Sequence, residues 1–354
     1  MTQYEISKIN LGQSLDNLSN LDPRGYGVCN LLYLHSKKLS TTPLSINGAE
    51  KLKSTLKKGD VVFILTGFVL YPYNKAETDG AIGSILLAKT LYDAFNIKPV
   101  IICPKEAVKA VFKMAKSLSF APQLEISEFL RVNNSLLIVE FTKDKALAVS
   151  QGENLINNLN PTAVISVECS GANEIGVYHN AVGIDVSNLQ SKQDVIFETL
   201  KQKGVLNLSI GDLGNEIGMG AIMGIEEDIP YLKKGACTCG CGGGTKAKTS
   251  ADNVITATIS DWGAYALICA IAFVCQNCNL LPSISLYKKI VKTAVKNGLI
   301  DMYGEHIPKI DGIGLNIHTK IISLMSELVK STISHQEKTK TWFDKIDKLN
   351  SFNK

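Results

Sequence analysis

Five short apolar runs most limit how this chain can fold: Val61 to Leu65, Val100 to Cys103, Leu136 to Phe141, Ala163 to Val167 and Leu206 to Ile210. None shows the strict polar–apolar alternation of a half-exposed strand, so each reads as a strand buried on both faces. Between them lie amphipathic stretches such as Glu106 to Ser117 and Gln151 to Leu159, long enough for crossover helices. The pattern predicts an α/β fold, a mostly parallel sheet with helices on both faces in a Rossmann-like three-layer arrangement, with a helical C-terminal part from Ser283 onward. Residues 1–330 are expected to form a single catalytic domain and residues 331–354 a polar tail or last helix.

Composition narrows the classes of function. With 354 residues, 45% hydrophobic and 20% charged, the chain can bury a sizeable core, which excludes a disordered or fibrous protein. The net charge is +4 and the basic residues are spread along the chain except in a lysine-rich tail from Lys330, so no nucleic-acid partner is expected. Met1 to Gly12 contains Glu5 and no apolar core, and reads as neither a secretory signal nor a transit peptide. The longest apolar run, Trp262 to Cys275, is too short to cross a bilayer and reads as a buried helix, so no membrane partner is expected either. Nine cysteines, most inside or beside apolar segments, suggest reduced thiols and a cytoplasmic location.

In parallel sheets ligands bind beyond the carboxyl ends of the strands, so the residues following each run are the ones to inspect. Thr66-Gly67-Phe68 and then Glu77-Thr78-Asp79-Gly80 follow the first, Glu168 to Gly171 the fourth, and Gly211 to Gly220 the fifth. The last loop has four glycines in ten residues, and Asp212, Asn215 and Glu216 add hard oxygen donors suited to Mg²⁺ or Mn²⁺. A plain strand-to-helix turn capped by Asp212 or Asn215 is the alternative. Glu77 and Asp79 precede a helical pattern: either the helix dipole merely stabilises them, or amides around Gly80 and Gly83 bind an anionic substrate while a carboxylate faces a metal or an amine. Glu168 ends a buried strand, where an unpaired carboxylate is costly and requires a cation or donor nearby. The segment onward to Ser187, with Tyr178, His179, Asn180 and Asp185, is too polar for a plain connector and forms a candidate active-site loop. His179 has the right pKa class for proton transfer, but a structural role serves equally well.

Cys237-Thr238-Cys239-Gly240-Cys241 looks like a metal loop, but three thiolates need a fourth ligand and none stands at a regular spacing. Cys275 and Cys278 form only a distant C-x-x-C. The alternate spacing in a glycine-rich strand is awkward for a tetrahedral site, so a flexible loop with reactive thiols is the expectation.

Taken together, several segments resemble the family called D-glutamate cyclase, C-terminal. The resemblance is carried by Asp22-Pro23-Arg24-Gly25, Thr66-Gly67-Phe68, Glu77 to Gly80, Glu168 with Gly171 and Tyr178 to Ser187, Gly211 to Gly220, Ser260-Asp261-Trp262-Gly263-Ala264-Tyr265 and Ile310-Asp311-Gly312. These run in family order from about residue 22 to residue 325. The chain departs from the family's pattern at Asp261, usually Asn, at Ala81, usually Pro, at His179, where the family shows a second Tyr, and in the cysteine-rich stretch, which reads as an insertion.

The resemblance implies reversible dehydration of D-glutamate to 5-oxo-D-proline, assisted by a divalent metal, Mg²⁺ or Mn²⁺. The expected catalytic residues are Glu168, Asp212, Glu216 and His179. Glu77, Asp79, Glu168, Asp212, Asn215 and Glu216 are the expected metal ligands. Arg24, Thr66, Gly67, Gly80, Gly83, Asn180, Asp185 and Gly214 are expected to meet a small carboxylate or amino-acid substrate, and a homo-oligomer is compatible with the sequence. A metal-dependent phosphatase or other hydrolase, or a non-catalytic carboxylate-binding protein, would draw on the same residue types.

Overall fold

The structure, a computed structural model, describes residues 2–351, with no side-chain description for Gln3 or for residues 336–351. Seven strands form one parallel sheet: β1 Val61–Thr66, β2 Lys98–Cys103, β3 Ala121–Gln123, β4 Ser135–Glu140, β5 Ala163–Val167, β6 Leu206–Gly211 and β7 Val254–Thr256, in the order β3-β4-β2-β1-β5-β6-β7. The five apolar runs are five of these strands. Their side chains alternate between two cores rather than between core and water. Val62 and Ile64 of β1 pack with the helices Ala81–Phe95 and Ser260–Val274 on one face, while Phe63 and Leu65 join the helices Lys145–Leu159 and Asp194–Gln202 on the other. That two-sided burial is why the runs carry no polar alternation.

The two strands absent from the sequence reading are the sheet's edges, each three residues long. β3 contains Pro122, which cannot donate to a ladder and is tolerated at an edge, and such short strands leave no apolar run to detect.

From β1 the chain winds outward through β2 to the β3–β4 edge, then crosses back through Lys145–Leu159 to place β5 on the other side of β1. The carboxyl ends of β1 and β5 are therefore a topological switch point, where departing loops diverge and leave a crevice. The helix Ser260–Val274 is buried along its whole length, as its apolar run predicts, and packs against Ala81–Phe95 and Leu44–Thr55. Among the described residues no helix is long and apolar enough to cross a membrane.

The C-terminal part is helical, with Ile284–Lys296 and Leu315–Ser351, and residues 352–354 of the expected tail lie outside the described residues. Lysines that are scattered in sequence do meet on one surface. Lys113, Lys116, Lys288, Lys289, Lys292 and Lys296 line a groove between Lys105–Ser117 and Ile284–Lys296, a clustering that only helix packing creates.

Candidate functional site

At the switch point β5 runs directly into Glu168, whose φ of +45° is a left-handed conformation that a residue with a Cβ adopts at a cost of about 1–3 kcal/mol. The turn aims its carboxylate across the sheet end, where the Ser260 hydroxyl donates to Oε2 at 2.6 Å. Gly80 lies directly against it. A side chain there would overlap the Glu168 Cβ and approach the Val167 carbonyl oxygen to 2.7 Å, so the close approach of the two strand-end loops requires glycine.

Asp79 and Asp261 tie together the two helices that start here. Asp79 accepts amide N–H groups from Gly80 (2.8 Å), Ser260 (2.9 Å) and Asp261 (2.7 Å), and Asp261 Oδ1 accepts the N–H of Gly83 at 2.6 Å. The amides expected to hold a substrate anion at Gly80 and Gly83 are thus committed to carboxylates of the protein itself. A helix N-terminus attracts whatever anion is nearest, and here that anion is supplied by the chain.

After β6 the glycine loop closes on its own acid. Glu216 accepts the amides of Asp212 (3.1 Å), Leu213 and Gly214 (both 2.8 Å), so both of its oxygens hold the loop in shape. This leaves Asp212 Oδ1 buried with no hydrogen-bond partner. Asn215 donates its Nδ2 to the His179 carbonyl at 2.9 Å, and its Oδ1 is likewise buried and unpartnered.

A cavity of about 480 Å³ opens at this sheet end, lined by Glu77, Glu168, Asp212, Asn215, Asp311 and Arg24, with Phe68, Tyr26, Tyr231 and the Asn180–Val182 segment as walls. Glu77 is brought in by the hairpin Val69–Leu70 and Lys75–Ala76, its N–H bonded to the Phe68 carbonyl. Arg24, one of two arginines in the chain, donates to Asp311 at 2.6 Å and to the Thr258 carbonyl at 2.5 Å, and lies 3.8 Å from Asp212.

One guanidinium cannot balance this many acids. Burial raises the carboxyls of Glu77, Glu168, Asp212 and Asp261 well above the usual range, and the charges of their neighbours add to it: Asp311 on Glu77, Glu216 on Glu168, Glu168 on Asp212, Asp79 on Asp261. Asp79 is pushed up to about 7 by burial and by Asp311, against the pull of three backbone amides. The site therefore holds protons near neutrality, or demands a cation. Asp79, Asp212 and Asp311 offer oxygens close enough to share one ion, as do Glu168, Asp212 and Glu216.

The remaining expected residues divide. Asn180 lines the cavity, with its Oδ1 accepting the Val182 and Ile184 amides. Asp185 is exposed and accepts the Ser187 amide. Thr66 is buried with an unpartnered hydroxyl beneath Gly80. Gly67 faces Pro104, while Gly214 donates its N–H to Glu216 and its carbonyl accepts the Ala247 amide. Neither Asp261 nor Asp311 stood among the expected site residues. Asp261 follows the short β7, and the strand-end rule would have found it had that strand been visible. Asp311 reaches Arg24 across 287 residues, for which no local signal exists.

His179 does not line the cavity. Its Nε2 lies 3.1 Å from Cys239 Sγ and 3.8 Å from Cys241 Sγ, and Cys237 and Cys241 are 3.4 Å apart at sulfur. The cysteine segment is a loop, as expected from sequence, but one whose thiols meet rather than stand apart. It is a series of turns in which Gly240, Gly242 and Gly244 have φ of +78°, +78° and +73°, so the chain reverses between cysteines and the thiols converge.

Comparison with known proteins places the chain among relatives. The chain is 25% identical over 280 residues to the protein named D-glutamate cyclase, mitochondrial, from Homo sapiens, an alignment that covers 76% of this chain. It spans 40% of the length of that relative. The model of the family described as D-glutamate cyclase-like, C-terminal, matches residues 15–326, which takes in every strand of the sheet and every carboxylate of the cavity, and the chain belongs to that family.

Proposed function

We propose that the chain is a lyase interconverting D-glutamate and 5-oxo-D-proline. In the forward direction the α-nitrogen bonds to the γ-carboxyl carbon, a carbon–oxygen bond breaks, and the departing oxygen leaves as water with two protons from the substrate's ammonium group. The observation that carries this reading is the cavity wall itself, where Glu168 and Asp212, both buried and with carboxyls raised well above the usual range by burial and by neighbouring acids, stand with the half-buried cation Arg24. A carboxyl with raised proton affinity can pass protons between the two groups, giving one to the leaving oxygen and taking one from the ammonium, a role that contributes about 10²–10⁴-fold in typical enzymes. Glu168 is assigned that role because it lines the cavity and its position is fixed by Ser260. Arg24 is the wall's cation for the substrate's α-carboxylate. Glu216 acts on Asp212 by holding its loop.

The residues also fit a divalent ion. Asp212 and Glu168, whose oxygens lie close enough to share an ion, would hold it, with Asn215 and Glu77 in the same cavity wall: all are hard oxygen donors, and Asp212 Oδ1 and Asn215 Oδ1 are buried without partners. When bound, Mg²⁺ or Mn²⁺ would neutralise the γ-carboxylate as a Lewis acid. The family relationship and the human relative's name support the choice of substrate.

The test is incubation of the purified chain with each enantiomer of glutamate and of 5-oxoproline, with Mn²⁺, with Mg²⁺ and after chelation, followed by mass for gain or loss of water. Turnover of the D-enantiomers is expected. No turnover of either D-compound under any metal condition would remove the proposal.

A further inference from the structure

We propose that His179, Cys237, Cys239 and Cys241 form a structural zinc site, separate from the carboxylate cavity and independent of the reaction assigned to it. One ligand atom from each of the four residues lies within 4.8 Å of every other. A tetrahedral zinc with bonds of about 2.3 Å to sulfur and about 2.0 Å to nitrogen sets its ligands roughly 3.5–3.8 Å apart. Three of the spacings here, 3.1 Å for Cys239 to His179, 3.8 Å for Cys241 to His179 and 3.4 Å for Cys237 to Cys241, run from slightly below that range to its upper end. The sulfurs are too far apart for a disulfide, whose bond is about 2.05 Å, and all three cysteines are free.

Independent features around the cluster suit thiolates. Cys241 Sγ accepts N–H groups from Asn173 Nδ2 and from the Gly243 amide, both at 3.4 Å, the kind of outer hydrogen bond that orients a metal-bound sulfur. Asn173 is itself buried and fixed by its bond to the Gly244 carbonyl at 2.8 Å. The four ligands fall in two segments, residue 179 and residues 237–241, which only the fold brings together.

The site has a clear mechanical consequence. Thr238 donates its N–H and its hydroxyl to the Gly183 carbonyl, so the cysteine turn is already docked on the Asn180–Gly183 loop. Asn180 to Val182 line the cavity, and the His179 carbonyl holds Asn215. A zinc ion would lock this wall of the cavity to the 237–244 turn. Binding exchanges three thiol protons for the metal, leaving a site with three thiolates and one neutral imidazole.

The experiment is elemental analysis of the full chain, purified under reducing conditions and reconstituted with zinc, alongside cobalt substitution read in the visible spectrum. Stoichiometric zinc is expected, as are the strong bands of tetrahedral thiolate-bound cobalt. The double variant C237S/C241S should fall to background zinc, and Cys275→Ser with Cys278→Ser should keep it. Asp212→Asn should also keep it, which separates this site from the carboxylates. Zinc removal should expose the 181–183 and 237–244 segments to limited proteolysis. Wild-type protein that takes up neither zinc nor cobalt, a double variant that retains full zinc, zinc lost with Asp212→Asn, or iron bound in zinc's place would each overturn the proposal. The cobalt spectrum is read on the unaltered chain, so misfolding of a variant cannot decide the matter.

Discussion

Asp79 and Asp261 cap each other's helices: Asp79 accepts the amides of Ser260 and Asp261 at the start of Ser260–Val274, while Asp261 accepts the Gly83 amide in the first turn of Ala81–Phe95. Removing the acceptor should therefore weaken a helix that is not its own. Asp261→Ala is expected to cost about 0.5–2 kcal/mol in urea unfolding, the usual worth of a cap. Asp261→Asn keeps an oxygen for Gly83 and removes a buried charge, so it should be at least as stable as the parent. A greater loss for Asn than for Ala would contradict this account.

The same pair makes stability depend on pH. Asp79 ionises at about 7 in the fold, against an ordinary value of 3.8. The folded state binds the proton more tightly, so this contribution is complete below about pH 4 and is lost as pH rises through about 7. In chelator, this group should make Tm fall between about pH 4 and pH 7, and Asp79→Asn should flatten the slope. A pH-independent Tm across that window would count against the raised carboxyl.

Divalent metal should reverse that trend at the cavity. A cation that binds the folded chain stabilises it by mass action, more so at higher pH, where protons no longer neutralise the acids. Thermal unfolding at pH 8 with millimolar Mn²⁺ should give a higher Tm than with chelator, and Asp212→Asn should reduce the gain. An equal gain in both proteins would move the ion elsewhere.

Glu168→Gln retains the side chain's shape and removes its proton chemistry. Turnover of 5-oxo-D-proline is expected to fall by about 10²–10⁴-fold with little change in unfolding midpoint, because Ser260 can still donate to the amide oxygen. Near-normal kcat in this variant would take Glu168 out of the reaction.

Gly80→Ala tests the packing beneath the site. The new methyl meets the Glu168 Cβ and the Val167 carbonyl in a backbone conformation of φ +74° that disfavours any side chain. Overpacking of this kind costs about 1–3 kcal/mol, and displacement of Glu168 should lower activity in parallel. A variant with parental stability would show that the loop has room to shift.

By itself, the sequence determined the five central strands and pointed to their carboxyl ends, where the structure has a cavity. Two-sided burial leaves unbroken apolar runs, and parallel strands must end where their loops diverge, so Glu168, Asp212 and the Gly211 to Gly220 loop were legible as strand-end features. The edge strands β3 and β7 were not, because three residues carry no periodic signal. Only the tertiary structure decided what each acid does. Glu216 is occupied by amides of its own loop, Asp79 and Asp261 by helix ends far away in sequence, and Asp311 by Arg24, whereas Asp212 Oδ1 is left unpartnered. It likewise brought His179 to three cysteines that the sequence left one ligand short. A carboxylate or a thiol takes its role from the donors and charges within a few ångströms of it, and here those neighbours are set by folding rather than by nearness along the chain.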